Sequence, residues 1–204
     1  MADERVLSKL QQDALREVAN IGSGHAATSL SELLNKRVMI QVPQCLSGSL
    51  EDVILRIRDP NEIVASVMVD FIGDLSGRAL VLYPFSDAKR LMKHLMSHDS
   101  QAIHDVRESL LKEVTNIIFC SYINALGELL GFLILPSVPG MTVDLAGAVL
   151  QTVLRGYEIQ QDTLFCIETE FWLDQEQDTF KAFLLLMPDV LSLNTILREL
   201  KITH

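Results

Sequence analysis

Apolar residues recur at helical spacing from Ser8 to about Lys36, where Leu10, Ala14, Val18, Ile21, Leu30, Leu33 and Leu34 define the inner side of a long predicted helix. β-Branched and apolar stretches follow at 38–45, 53–57, 63–71 and 78–83 and read as strands. The last two flank Gly73-Asp74-Leu75-Ser76-Gly77, whose turn residues predict a hairpin. A short helix is expected after Pro84, with Ser86 or Asp87 as its cap, running to about Ser97. The order then recurs: a helix over about 106–130, strands near 163–173 and 179–187, and a closing helix after Pro188. Within 144–156, Leu145, Val149, Leu150, Val153 and Leu154 predict an added apolar helix.

The recurrence extends to individual residues. Asp13, Glu17, Asn20 and Pro43 are matched by Ser109, Glu113, Asn116 and Pro139, and every pair is 96 apart (109−13, 113−17, 116−20, 139−43). Without a gap, 15–43 and 111–139 share 11 identities in 29 positions, where unrelated segments of average composition would share roughly two. The joints Leu80-Val-Leu-Tyr-Pro84 and Leu184-Leu-Leu-Met-Pro188 also match, at an offset of 104. That leaves about eight extra residues in the second half (104−96), placed at the added helix. The expected class is α+β, one domain over 1–204 made of repeat halves 1–100 and 101–204. A pseudo-twofold relates these helix–strands–helix halves, with their strands in one antiparallel or mixed sheet and the two long helices side by side. The join near 97–105 is short and polar, unlike a domain linker.

Composition narrows the classes. The chain has 204 residues, 49% of them apolar and 22% charged, enough for a sizeable core. A net charge of −10 opposes nucleic acid and anionic membrane surfaces as partners. The N-terminus lacks the pattern of a signal peptide, and no apolar run reaches the roughly 20 residues that span a bilayer. Cys45, Cys120 and Cys166 form no CxxC and read as buried thiols. A cytoplasmic protein is expected.

Positions i, i+4 and i+7 share one helix face, so Asp13, Glu17 and Asn20 form one polar stripe and Ser109, Glu113 and Asn116 another. A single stripe would be ordinary solvated decoration. Two copies kept within a diverged duplication call for a reason, the more so as Asn is a mediocre helix former. A carboxylate can pair with a cationic side chain, while a carboxamide one turn away offers a donor and an acceptor and can orient water. That suits hydrolysis of a bond already reactive, such as an acyl phosphate, where positioning is most of the task.

The doubled spacing [Asp/Ser]-x3-Glu-x2-Asn-x22-Pro, with Glu17-Val-Ala-Asn20-Ile-Gly22-Ser-Gly24-His-Ala26-Ala27 and Glu113-Val-Thr-Asn116-Ile around it, resembles the CheC family of chemotaxis phosphatases (the CheC, CheX and FliY group). The resemblance covers essentially the whole chain and is of the two-site CheC type. It implies a phosphatase that hydrolyses the aspartyl phosphate of the response regulator CheY. Glu17 and Glu113 would each bind the active-site Lys of CheY. Asn20 and Asn116 would each orient the attacking water. Asp13 and Ser109 complete the signature, and Pro43 and Pro139 would be structural, ending the link from each long helix into the first strand. The Mg2+ would belong to CheY, so no cofactor is expected in this chain. The rival is a binding module for the receptor deamidase CheD, docking through the apolar segment 144–156. A flagellar-switch component is disfavoured, since the chain ends at His204 without an additional domain.

Other signals are weaker. Gly22-Ser23-Gly24 invites a phosphate-loop reading but lacks a preceding strand and a third glycine; close approach of the two long helices explains the glycines better. His94 and His98 have ligand spacing without a third ligand. Phe71, Phe85, Phe165, Phe171, Phe180 and Trp172 read as core or strand-packing residues, and 168–178 as a solvated acidic hairpin. Cys120 lies at i+4 from Asn116, but its counterpart is Gly24, which opposes a shared catalytic thiol.

Overall fold

Alternation along three long strands decides the architecture. In the computed structural model, which describes residues 9–40, 44–48, 59–96, 104–155, 164–173 and 178–200, these are β3 (Ile63–Gly73), β4 (Gly77–Pro84) and β8 (Asp178–Pro188). Ala65, Val67, Val69 and Phe71 of β3 face one core with Ala79, Val81 and Tyr83 of β4 and Phe180, Ala182 and Leu184 of β8. The intervening Val64, Leu80, Leu82, Phe183, Leu185 and Met187 face a second core on the other side. Period-two apolar residues on both faces thus require a sheet covered twice.

The larger core lies beneath α1 (Lys9–Leu34) and α3 (His104–Leu130), with α2 (Phe85–Leu95) and α5 (Val190–Glu199) beside them. The smaller is closed by α4 (Ala146–Arg155), which buries Ala146, Val149, Leu150 and Val153. The predicted apolar helix in 144–156 therefore exists, but its apolar side is spent on the core. A docking role resting on that side loses its basis.

The remaining strands are β1 (Val38–Ile40), β2 (Gln44–Gly48), β5 (Ile134–Pro136), β6 (Gly140–Leu145) and β7 (Leu164–Leu173). The order is β1-β7-β8-β4-β3-β5, with β2 also on β7 and β6 also on β3, and every recorded pairing is antiparallel. Short strands from each half of the chain flank the long hairpin of the other: Val38 pairs with Leu173, and Ile134 with Gly73. The predicted β3–β4 hairpin forms as expected. Gly73 sits at φ 129°, and a Cβ there would meet the Leu133 carbonyl, so glycine is required.

Several expectations need correction. Leu10, Ile21 and Leu33 are exposed and not part of the inner side of α1. Neither Ser86 nor Asp87 caps α2; the cap position is Pro84, without a side-chain hydrogen bond. Asp87 is instead buried, accepting from Arg90 (2.6 Å) and from the backbone N–H of Lys181 (2.8 Å), and so ties α2 to β8. Phe85 and Trp172 are exposed, with Lys89 over the Phe85 ring. The strand expected at 53–57, Pro43, His98, and the side chains of Cys45, Phe165 and Cys166 lie outside the described residues.

The long helices meet at Gly22. A Cβ on Gly22 would stand 2.7 Å from Tyr122 Cδ1 and 2.9 Å from Tyr122 Cα, whereas one on Gly24 would meet nothing within 4 Å. Close approach thus rests on Gly22 alone of the two. Gly22→Ala should lower stability by about 1–3 kcal/mol through overpacking, or about 2–10 °C in Tm. Gly24→Ala should be neutral or slightly stabilising, because alanine is the better helix former. Paired thermal melts check both, and equal melting temperatures would contradict the assigned contact.

Candidate functional site

Burial of one side of each long helix fixes what the other side presents. On α1, Leu15, Val18, Ala19, Gly22, Ala26 and Leu30 are buried, which turns Asp13, Glu17 and Asn20 outward, all three exposed. At 100° per residue the three span an arc of about 60°. On α3, Leu111, Val114, Thr115, Ile118, Phe119 and Tyr122 are buried. Ser109 and Glu113 are exposed there, and Asn116 is half-buried. Both expected stripes therefore form on solvent-facing sides of neighbouring helices.

The helices are held by a buried polar chain. The Tyr122 hydroxyl lies 2.9 Å from Ser23 Oγ and 3.0 Å from Thr169 Oγ1, joining α3 to α1 and to β7. Thr115, one position before Asn116, meets the Tyr83 hydroxyl of β4 at 2.9 Å. Burial pushes the Tyr83 phenol far above its usual value, so it stays neutral. The side chains that position the stripes are thus fixed from beneath, while Glu17 and Glu113 face water.

The two stripes differ in their surroundings. Cys120 Sγ donates to Asn116 Oδ1 at 3.6 Å. Burial, and secondarily the Glu113 carboxylate, raise the Cys120 pKa, so the thiol remains protonated at neutral pH. Asn20 has no recorded side-chain hydrogen bond among the described residues, and the residue at i+4 is Gly24 with open space around it.

Sequence reasoning missed an apolar flank. Leu10 and Ile21 border the first stripe at 40% and 37% exposure, and Val106, 96 residues after Leu10, borders the second at 46%. The shared offset was the available signal; helical periodicity assigned Leu10 and Ile21 to the core instead. A carboxylate and a carboxamide beside exposed apolar side chains suit a protein surface as partner. Pro139 is half-buried and follows β5, so it lies between two strands and not before the first. Gly22-Ser23-Gly24 is interior to α1, which removes the phosphate-loop reading. Among the described residues, no three His, Cys, Asp or Glu side chains gather closely enough to hold a metal ion, and no helix is long and apolar enough to cross a membrane.

The model of the CheC-like family matches twice, at residues 10–47 and 106–143, and each match contains one stripe. The CheY-P phosphatase CheC of Bacillus subtilis (strain 168) is 31% identical over 184 residues, covering 88% of each chain. The chain belongs to the CheC-like family. Among solved structures, Thermotoga maritima FliY superposes with a TM-score of 0.78 at 18% identity, covering 98% of this chain and 100% of FliY. The FliM middle domain from H. pylori gives 0.65 at 13% identity, covering 95% and 99%. These two likenesses establish the mixed helix-and-sheet fold.

Proposed function

We propose that this CheC-like protein is a cytoplasmic phosphatase for phosphorylated CheY, with a site on each long helix. The observation behind this is the outward Glu/Asn stripe on α1 and its repetition on α3, each supported by a buried helix face. In this reading 1–204 is one domain of duplicated halves, with a pseudo-twofold between β4 and β8. The twice-matched family model and the strand exchange between halves support it.

Docking pairs Glu17 or Glu113 with the active-site Lys of CheY while the apolar flank covers the rim of the contact. The Asn20 or Asn116 carboxamide then holds a water in line with the aspartyl phosphate. Water oxygen bonds to phosphorus as the bond between phosphorus and the aspartyl oxygen breaks; the CheY carboxylate is regenerated in place, and inorganic phosphate departs carrying the water's two protons as dihydrogen phosphate. The acyl phosphate is intrinsically labile, so orientation supplies the acceleration. The Mg2+ that neutralises phosphoryl charge resides on CheY.

A second reading, a flagellar-switch component, draws on the FliY and FliM likeness, which is one of fold alone. The doubled stripe favours the phosphatase. Regulation through CheD would need a surface other than the buried side of α4.

With Mg2+ and phosphorylated cognate CheY, Asn20→Ala or Asn116→Ala alone should leave activity from the other site. The double variant should lose about 10²–10³ in kcat. Full activity in the double variant would refute the water-positioning role. Glu17→Lys/Glu113→Lys should raise KM for phosphorylated CheY about tenfold or more, because like charges then meet at the docking point. An unchanged KM would remove both glutamates from docking.

A further inference from the structure

Among the described residues, six helix hydroxyls donate back to the carbonyl four residues earlier. Ser23 bonds Ala19 (2.6 Å), Thr28 bonds Gly24 (3.0 Å) and Ser31 bonds Ala27 (2.6 Å). Thr115 bonds Leu111 (2.8 Å), Ser121 bonds Ile117 (2.8 Å) and Thr152 bonds Ala148 (2.9 Å). Cys120 behaves differently. Its thiol passes over the backbone and donates to the side-chain Oδ1 of Asn116, the residue four earlier. The longer C–S bond and the weak S–H donor allow that reach, where a hydroxyl would settle on the carbonyl.

We propose that Cys120 is a positioning residue for the second site, fixing the Asn116 carboxamide in one orientation, and that Gly24 leaves the first site without this device. The inference rests on the phosphatase reading above. An exposed carboxamide samples several rotamers and can turn over, exchanging its donor and acceptor ends. With Oδ1 held by the thiol, Asn116 keeps both Nδ2 donors and one Oδ1 lone pair for the water, always in the same places. Asn20 reaches the same arrangement only part of the time. The duplicated sites are therefore unequal in turnover for a reason outside the signature positions. Cys120 touches neither water nor phosphate; it acts through Asn116.

The test uses two single-site proteins: Asn20→Ala, which leaves the second site, and Asn116→Ala, which leaves the first. Phosphate release from phosphorylated CheY gives kcat and KM, and thermal melts report folding. Adding Cys120→Ala to the second-site protein should lower kcat about two- to tenfold with KM unchanged, the scale of losing one weak orienting hydrogen bond. Adding Gly24→Cys to the first-site protein should raise its kcat by a similar factor, since the added side chain enters open space. Gly24→Ala, which alters the helix without supplying a donor, should not. An unchanged kcat for Cys120→Ala, or a Gly24→Cys protein no faster than Gly24→Ala, overturns the proposal. If Cys120→Ala misfolds, the Gly24 pair decides alone. No phosphate release from either single-site protein, nor from the unaltered chain, would instead bring down the phosphatase reading on which this one stands.

Discussion

Contact between Gly22 and Tyr122 sets the separation of the two long helices, and much of the molecule follows from it. Because Gly22 has no Cβ, the Tyr122 ring lies against the α1 backbone, and its hydroxyl lands between Ser23 and Thr169. One side chain thus bonds a helix to its neighbour and both to the sheet. A buried hydroxyl without partners is costly, so this chain holds only when all three elements are in place. The same contact selects which residues of α1 and α3 look outward, and those are the Glu and Asn of each stripe.

The sheet makes that arrangement rigid. Strands with apolar residues on both faces force two cores, and the larger one lies directly beneath the stripes. Glu17 and Glu113 therefore project from helices anchored along their length, so a partner meeting them would require no ordering of a loop. The carboxamides differ in this respect: among the described residues, Asn116 is held further by Cys120, and Asn20 by its helix alone.

Much of this was legible in the chain. The limits of both long helices, the glycine-flanked hairpin and the closing helix after Pro188 were each marked by residues with strong local preferences. The stripes were legible because helical geometry alone places i, i+4 and i+7 together. Misreadings arose where tertiary context overrode local pattern. Leu10, Ile21 and Leu33 fit an apolar periodicity, yet a helix covered on one side must leave part of a wide stripe exposed. Asp87 looks like a cap, but the backbone N–H of Lys181 and the Arg90 guanidinium claim its carboxylate. The thiol–carboxamide bond was invisible because nothing in an i, i+4 spacing says whether a donor turns to the backbone or to a side chain.

The exchange of short strands has a kinetic consequence. Val38 finds its partner Leu173 only across 135 residues of chain (173−38), and Ile134 must return 61 residues to Gly73 (134−73). Pairings of such sequence separation slow the search, since loop closure precedes any reward. During synthesis the first long hairpin emerges well before the strands that flank it, leaving an edge of β3 open to other chains. The two-helix layer above the sheet is likewise incomplete until α3 arrives. Assembly of this fold is thus a late event in the making of the chain, and its two stripes come into being together.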